Sequence, residues 1–438
     1  MKIIVVGAVA GGATVASQIR RELPDAEIVV YEKGRDMSFA NCGLPYYLGN
    51  EIEDRSKLVQ ASADSFKERK EIAVHLYHEV TAVDTANKSV IVHNHLTNAT
   101  TEENYDKLIL SPGCKAVRLP QLKGSDITFP VRTLEDTDII EQHIEQYDVR
   151  KALVIGAGYI SLEMIENLKN RGLDVTLLHR SERLLKTMDA QFLPHLMNCL
   201  KEESIKTQLN DEVATIEGRT VTFKSGFSED YDLVIEAVGI TPNTDFLENS
   251  HLVLNDKGYI VTDEYFQTSS QDVYALGDAI ETFYMHTGAK TTVALAWGAH
   301  RAANLIAGNL AGKMKVFNGL LGTNIIRFFD HAIASVGISE AEAKEYGAAH
   351  VSFDQYPQAR YMPRSHPMHI SVYYDKETRQ ILRACFFGKQ GVDKRVDVIA
   401  TAIIAKMTID DLKDIEIAYA PPFSAPKDIV NMIGYRAK

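Results

Sequence analysis

Cysteine is scarce in this sequence, and no two cysteines lie close together. The 438-residue chain has four, Cys42, Cys114, Cys199 and Cys385, which is not the disulfide framework of a small secreted protein. No C-x-x-C pair or histidine-rich stretch indicates a metal site. The segment SFANCGLPYY (38–47) contains Cys42. A redox-active pair with the spacing C-x-x-x-x-C would place a second cysteine at position 47, but Tyr47 stands there. Dithiol chemistry at Cys42 would need a sulfur from elsewhere; otherwise the chemistry is of another kind.

Excess positive charge and long apolar runs are also lacking. The net charge of -12 argues against general binding to nucleic acid or anionic membranes. No stretch reaches the ~20 apolar residues of a membrane span. The start, MKIIVVGAVAGGATVA, has the apolar run of a signal peptide, but Gly7, Gly11 and Gly12 interrupt it as in a strand, turn and helix. We therefore expect a cytoplasmic protein with neither nucleic acid nor membrane as a partner.

Two segments of the chain repeat one pattern. KIIVVGAVAGGATVASQIRRELPDAEIVVYEK and KALVIGAGYISLEMIENLKNRGLDVTLLHR each read as strand, glycine turn, helix and strand. Their apolar runs are short, β-branched and uninterrupted by charge, as strands buried on both faces should be. The segments YDKLILSPG (105–113) and YDLVIEAVG (231–239) each close such a unit, and DVYALGDAI (272–280) adds a further strand. The pattern predicts an α/β protein with two Rossmann-like nucleotide-binding domains, the second inserted into the first.

The pattern changes near residue 320, where HISVYYD and QILRACFFG predict strands before a helix near DVIATAIIAKM. We expect an α+β domain over 320–438. The expected first domain comprises 1–118 and 248–319, and the expected second comprises 119–247.

The first glycine turn has the features of a flavin-nucleotide site. Its residues Gly7, Ala8, Gly11 and Gly12 depart from G-x-G-x-x-G at the middle glycine. Glu32 strengthens the interpretation, because it ends the second strand where a carboxylate can accept ribose hydroxyl protons. The alternative is a solvated strand end. Lys33 follows it, and Gly277 and Asp278 extend the expected site after a later strand. TVALAWGAHRAANLIAG (292–308), which contains Ala296, predicts a helix whose N-terminus points at the flavin.

The second turn predicts a different nucleotide. Its predicted contacts are Gly156, Ala157, Gly158, Tyr159, Ile160 and Glu163. No acid ends its second strand; Arg180 and Arg183 stand there instead, where cations would bind the 2′-phosphate of NADPH. The alternative is a solvated basic turn.

These motifs in this order resemble the pyridine nucleotide-disulfide oxidoreductases, over essentially the full chain. Within that family, SFANC, GAVAGGAT, LAWGAHRAA and AYAPPFSAPKD look like the single-cysteine coenzyme A-disulfide reductases. The resemblance implies FAD and NADPH as cofactors, a homodimer joined by the last domain, and a covalent Cys42–CoA mixed disulfide. NADPH would reduce FAD, reduced FAD would cleave the mixed disulfide, and the thiolate would attack a new CoA disulfide. Such attack predicts a depressed Cys42 pKa.

The resemblance also implies site residues. Tyr361 and Tyr419 match tyrosines that reach the active site from the partner subunit, although packing aromatics at an interface would look the same. The residues matched to CoA binding are Thr14, Gln18, Arg21, Ser38, Asn41, Lys70, His300 and Lys427. Thr14, Gln18 and Arg21 share one face of the first helix.

Two other functions stay open. An NAD(P)H oxidase or peroxidase would use a Cys42 sulfenic acid, although Ala10 stands where such members usually carry histidine. A flavoprotein redox sensor would display Cys42 oxidation without turnover.

Overall fold

A computed structural model describes all residues, 1–438. The first domain is built on a five-stranded parallel sheet. Its inner strands are uncharged after their first residue, because both faces of the sheet are covered. In spatial order the strands are Val273–Ala275, Lys107–Leu110, Lys2–Val6, Glu27–Tyr31 and Ala73–His75. The sheet thus combines early and late parts of the chain.

The helices and smaller sheets of this domain lie around that parallel sheet. Its helices are Ala10–Glu22, Leu44–Leu48, Ala63–Lys70 and Ala296–Leu310. A three-stranded antiparallel sheet comprises His78–Asp84, Ser89–Asn94 and Ala99–Asn104, and a short ribbon comprises Thr282–Phe283 and Lys290–Thr291. The helix expected over 292–308 begins only at Ala296, and the first and last helices pack together.

The second domain repeats the parallel architecture. Its five strands, in spatial order, are Lys206–Leu209, Asp174–His179, Lys151–Ile155, Leu233–Glu236 and Thr128–Pro130. Its helices are Leu134–Gln146, Tyr159–Asn170 and Leu193–Glu202, and its antiparallel sheet comprises Val213–Glu217, Thr220–Phe223 and Ser228–Asp230.

An antiparallel ribbon of two strands connects these domains. Cys114–Ala116 pairs with Ile240–Pro242, so the chain enters and leaves the second domain side by side. This confirms two Rossmann-like units with one inserted into the other. The numbered boundaries at 118/119, 247/248 and 319/320 stay predictions.

The last domain is α+β, as expected. Its antiparallel strands, in spatial order, are Asn324–Phe328, His331–Gly337, Ile381–Gly388, Met368–Tyr374 and Ala349–Gln355. Its helices are Glu340–Glu345, Val392–Ile404 and Ile429–Arg436. Residues such as Phe386 pack towards the helices, while Phe328 and Phe387 pack against the second domain. None of the helices in the structure combines the length and apolarity needed to cross a membrane.

Candidate active site

The first glycine turn leaves no room for side chains. Gly7 has a φ of +90°, and a Cβ there would lie 2.2 Å from the carbonyl oxygen of Ser111. A Cβ on Gly12 would lie 1.8 Å from the carbonyl oxygen of Gly7. The helix Ala10–Glu22 therefore starts directly against the end of the first strand. This arrangement lets a ligand approach the backbone closely, as dinucleotide binding requires.

Glu32 joins the glycine turn to the end of the second strand. Its Oε2 atom accepts a hydrogen bond from the backbone N–H of Ala8 at 2.8 Å. Its Oε1 atom accepts one from the N–H of Gly34, also at 2.8 Å. A carboxylate oxygen can accept more than one hydrogen bond, so a ribose hydroxyl could still bind there.

A cavity of about 480 Å³, the predicted cofactor cavity, extends from this turn to Cys42. Nine of the predicted residues line it: Gly7, Gly11, Glu32, Lys33, Asn41, Cys42, Gly277, Asp278 and Ala296. Residues from the start of the chain and from near 277 thus meet at one cavity. The structure therefore joins the predicted nucleotide turn to the predicted redox cysteine.

Arg132 is a cavity residue that the sequence reasoning missed. Its guanidinium donates to the carboxylate of Asp278 and, through Nε, to the Cys114 carbonyl at 3.1 Å. Its own carbonyl accepts a hydrogen bond from the Asn41 side chain at 3.1 Å. A signal existed, since Arg132 follows the strand Thr128–Pro130 and precedes a helix capped by Thr133. Basic residues at the carboxyl end of a parallel strand are candidates for binding an anionic ligand.

Cys42 is the exposed cysteine of the chain. It lies in a single 3₁₀ turn, Asn41–Gly43, directly before the helix Leu44–Leu48. The other three cysteines are buried, and all four are free thiols. Burial raises the pKa of Cys114, Cys199 and Cys385 to about 12, which suits structural rather than reactive thiols.

The charges around Cys42 oppose thiolate formation, contrary to the expectation of a depressed pKa. Burial raises the pKa of the Cys42 thiol, and the carboxylates of Glu163 and Asp278 raise it further. Arg132 acts in the other direction but is the smallest influence. Burial raises the pKa of Glu163 itself to about 7, and the Tyr46 hydroxyl donates to it at 3.4 Å. The residues of this chain alone thus hold Cys42 as a thiol.

We expect Glu163→Gln to lower the pKa of Cys42. A neighbouring negative charge disfavours a thiolate, so removing it makes ionisation easier. The difference should be largest above pH 7, where Glu163 is ionised. The pH dependence of Cys42 alkylation by iodoacetamide in the reduced protein measures this, with free cysteine as the reference. An unchanged midpoint would mean that the Glu163 charge does not act on Cys42.

The second glycine turn is as tightly packed at Gly156 as the first is at Gly7. Gly156 has a φ of +116°, and a Cβ there would lie 2.2 Å from the Ala237 carbonyl oxygen. Gly158 caps the helix Tyr159–Asn170 and borders open space. The turn also contains Ala157, and the start of the helix carries Tyr159, Ile160 and Glu163. The helix N-terminus is thus accessible to a phosphate.

The basic residues after the second strand differ in their surroundings. Arg180 is exposed, whereas Arg183 is half-buried and bonded to Glu340 at 3.0 Å and to the Met188 carbonyl. Lys186, which the sequence reasoning missed, is exposed. Burial and then the charges of Arg180 and Lys186 lower the pKa of His179, so both cations lie near that ring. The signal for Lys186 was its position three residues after Arg183.

Five of the residues matched to CoA binding lie around the first helix. The Thr14 hydroxyl lies 2.9 Å from Nδ1 of His300. Arg21 lies 3.5 Å from the Gln18 side chain. Lys70 donates to Ser17 at 2.8 Å, and burial and the Arg21 charge lower its pKa. This face thus brings two cations and several polar groups together. Ser38, with a φ of +47°, donates its backbone N–H to the Ala8 carbonyl.

Three predicted residues lie in the last domain, away from the cofactor cavity. Tyr361 and Tyr419 are exposed to 74% and 51%. The hydrogen bond with Tyr361 raises the pKa of Tyr419, which places the two hydroxyls together. Lys427 lies over the Tyr435 ring at 5.1 Å. Tyr419 lines a separate cavity of about 530 Å³ that shares no residue with the cofactor cavity.

Comparison with known proteins identifies the class. Residues 1–303 match the model of the pyridine nucleotide-disulphide oxidoreductases, and residues 323–429 match the dimerisation domain of that family. The chain belongs to this family, whose members use FAD and a pyridine nucleotide.

Three similar proteins carry names more specific than the family. The coenzyme A disulfide reductase of Staphylococcus epidermidis is 50% identical over 438 residues, covering 100% of both chains. The reduced Bacillus anthracis CoADR-RHD structure has a TM-score of 0.96 and 38% identity, covering 99% of this chain and 79% of its own. An engineered water-forming NADPH oxidase derived from the Lactobacillus brevis enzyme has a TM-score of 0.93 and 29% identity, covering 99% and 98%. The resemblance recognised in the sequence is thus confirmed.

Proposed function

We propose that this protein reduces coenzyme A disulfide to two CoA thiols with NADPH, through a mixed disulfide between Cys42 and CoA. The observation that carries the proposal is the isolated exposed thiol of Cys42 at the cofactor cavity, with every other cysteine buried. A disulfide cycle at Cys42 must then take its second sulfur from a substrate. The relatives named coenzyme A disulfide reductase support CoA as that substrate.

The cofactor cavity fits FAD. The glycine cradle at Gly7 and Gly12 admits a pyrophosphate, and Glu32 offers oxygens to a ribose. Asp278 and Ala296 line the same cavity, as does Cys42. Bound FAD would supply, two electrons at a time, the reducing power delivered by the pyridine nucleotide.

The proposed chemistry of Cys42 is balanced disulfide exchange. The Cys42 thiolate attacks one sulfur of CoA disulfide, forming the mixed disulfide and expelling one CoA thiolate. Two electrons then break the mixed disulfide, releasing the second CoA and restoring the Cys42 thiolate. Each cycle consumes one NADPH, which supplies a hydride, and one proton from solvent. Since the residues of this chain raise the thiol pKa, a proton acceptor or the bound cofactor must favour the thiolate.

The substrate side has the charge that CoA requires. CoA carries a pyrophosphate and a 3′-phosphate, and Arg21 and Lys70 supply cations on a protein whose net charge is -12. We place Thr14, Gln18, Ser38, Asn41 and His300 with them as polar contacts. Tyr361, Tyr419 and Lys427 would complete the site from the partner subunit of a homodimer, and the matched dimerisation domain supports this assembly.

The test of the function is product stoichiometry. Purified protein with NADPH and CoA disulfide should form two CoA thiols per NADPH consumed. Intact mass of the oxidised protein should show about one CoA per chain, which reductant should release. Oxygen consumption without thiol formation would favour the oxidase alternative. The structural likeness to a water-forming NADPH oxidase makes that alternative worth measuring.

The preference for NADPH rests on the basic residues after the second strand. Arg180 is the exposed donor, Arg183 would exchange Glu340 for the phosphate, and Lys186 adds a third positive charge. The engineered NADPH oxidase supports this reading. Its five substitutions remove one aspartate and introduce two arginines.

We expect Arg180→Ala to raise the Michaelis constant for NADPH and leave that for NADH nearly unchanged. A charge-assisted hydrogen bond is worth ~1.5–3 kcal/mol, or roughly ten- to a hundredfold in affinity. Adding Arg183→Ala should increase the effect. Arg150→Ala is the matched control, since Arg150 is exposed in the same domain but precedes a strand of the sheet. Equal losses with both nucleotides would assign these arginines to structure.

A further inference from the structure

A fully buried ion pair lies in the last domain and includes none of the predicted site residues. Arg395 and Asp428 are each 1% exposed, and Nε of Arg395 lies 3.2 Å from Oδ1 of Asp428. Arg395 belongs to the helix Val392–Ile404, and Asp428 caps the helix Ile429–Arg436. Burying two charges is costly, and apolar replacements are often no less stable. Stability alone is therefore a poor explanation for the pair.

The arginine binds both segments that carry the predicted tyrosines. Its Nη2 atom donates to the Pro357 carbonyl at 2.9 Å and to the Phe423 carbonyl at 3.3 Å. Each carbonyl is four residues from a tyrosine, Tyr361 or Tyr419. A hydrogen bond of 3.1 Å from Ala359 N–H to the Pro421 carbonyl joins the same segments directly.

The aspartate fixes the remaining part of this region. Its carboxylate accepts hydrogen bonds from the Ser424 hydroxyl at 2.5 Å and from the Val430 N–H at 3.0 Å. Asp428 directly follows Lys427, the third predicted residue of the last domain. The pair thus determines the course of the backbone on either side of Tyr361, Tyr419 and Lys427.

We infer that Arg395 and Asp428 are positioning residues for the active site, setting where Tyr361 and Tyr419 stand. This rests on the proposed role of the two tyrosines. Both tyrosine side chains are largely exposed in one chain, so their own packing does not fix them. The planar guanidinium can reach both backbone carbonyls and both carboxylate oxygens together, whereas the ammonium of lysine is a point charge.

Arg395→Lys is the variant that separates positioning from charge. It keeps a cation beside Asp428 but loses the fork that reaches the two carbonyls. We expect the folded, FAD-containing variant to accept electrons from NADPH at the normal rate. Turnover with CoA disulfide should fall about ten- to a hundredfold, since small misplacements of catalytic groups have effects of that size. Arg379→Lys is the control, because Arg379 pairs with Asp410 in the same domain without touching the tyrosine segments.

A combined variant provides the readout that a merely structural role would not move. If Arg395 acts through the tyrosines, Arg395→Lys should add almost nothing to the loss in Tyr361→Phe/Tyr419→Phe. The inference would be overturned if the turnover losses of Arg395→Lys and of the double tyrosine variant multiplied in the combined variant. Slower reduction of the flavin by NADPH in Arg395→Lys would also overturn it. So would full turnover of Arg395→Lys while the tyrosine variant is slow. Full turnover of the tyrosine variant would instead refute the proposed role of the tyrosines.

Asp428→Asn keeps the test decisive where Arg395→Lys fails to fold. Asparagine caps helices about as well as aspartate, so this change removes the charge and retains the cap. It should fold, bind FAD and show the same selective loss of turnover with CoA disulfide. Loss of folding in both variants would assign the pair to structure alone and overturn the inference.

Discussion

Cys42→Ser should abolish reduction of CoA disulfide while leaving the fold and FAD intact. A serine hydroxyl cannot form a disulfide, and the other three cysteines are buried with thiol pKa values of about 12. The expected loss is complete within detection, and intact mass should show no covalent CoA. The flavin absorbance spectrum and NADPH-dependent flavin reduction should persist, because the change replaces one sulfur by oxygen and leaves the glycine turn and Glu32 intact.

The matched control is Cys199→Ala, which removes a buried thiol that contacts His331 rather than the cavity. This variant should keep both CoA adduct and turnover. An internal disulfide from Cys42 to another cysteine in the oxidised wild type would contradict the mechanism. A sulfenic acid without a CoA adduct would favour the oxidase or peroxidase function instead.

Gly12→Ala should deprive the protein of FAD. The new Cβ would lie 1.8 Å from the Gly7 carbonyl oxygen and 2.8 Å from its carbon. Both atoms belong to the backbone, so the helix and the glycine turn must separate. Overpacking of this kind costs ~1–3 kcal/mol and displaces the N–H groups that would meet the pyrophosphate. The ratio of flavin to protein absorbance should fall to near zero, and the melting temperature should fall as well.

Gly308→Ala is the control for Gly12→Ala. It lies in the helix Ala296–Leu310, which packs on the first helix, and its new Cβ would meet nothing closer than 3.8 Å. Alanine is the better helix former, so stability should stay equal or rise. Normal flavin content in Gly12→Ala would show that the glycine turn does not hold the cofactor.

The two nucleotide folds and the isolated cysteine at position 42 were predictable from local sequence. Strands buried on both faces must be short and apolar, and a glycine turn must follow them, so the segments beginning KIIVVGAVAGG and KALVIGAGY carry the signal locally. The absence of cysteine at position 47 is equally visible without a structure. Helix starts were harder to predict. The helix predicted over 292–308 begins only at Ala296.

The charges around the site depend on the packing of the domains and could not be predicted from local sequence. Arg132 meets Asp278 across 146 positions of sequence, and Arg183 meets Glu340 across 157. Burial, and then the carboxylate of Glu163 from another domain, raise the pKa of Cys42 against the expected direction. Such contacts depend on how separate domains pack, and no local periodicity or spacing encodes them. Electrostatic effects depend on distance and burial, which the fold alone determines.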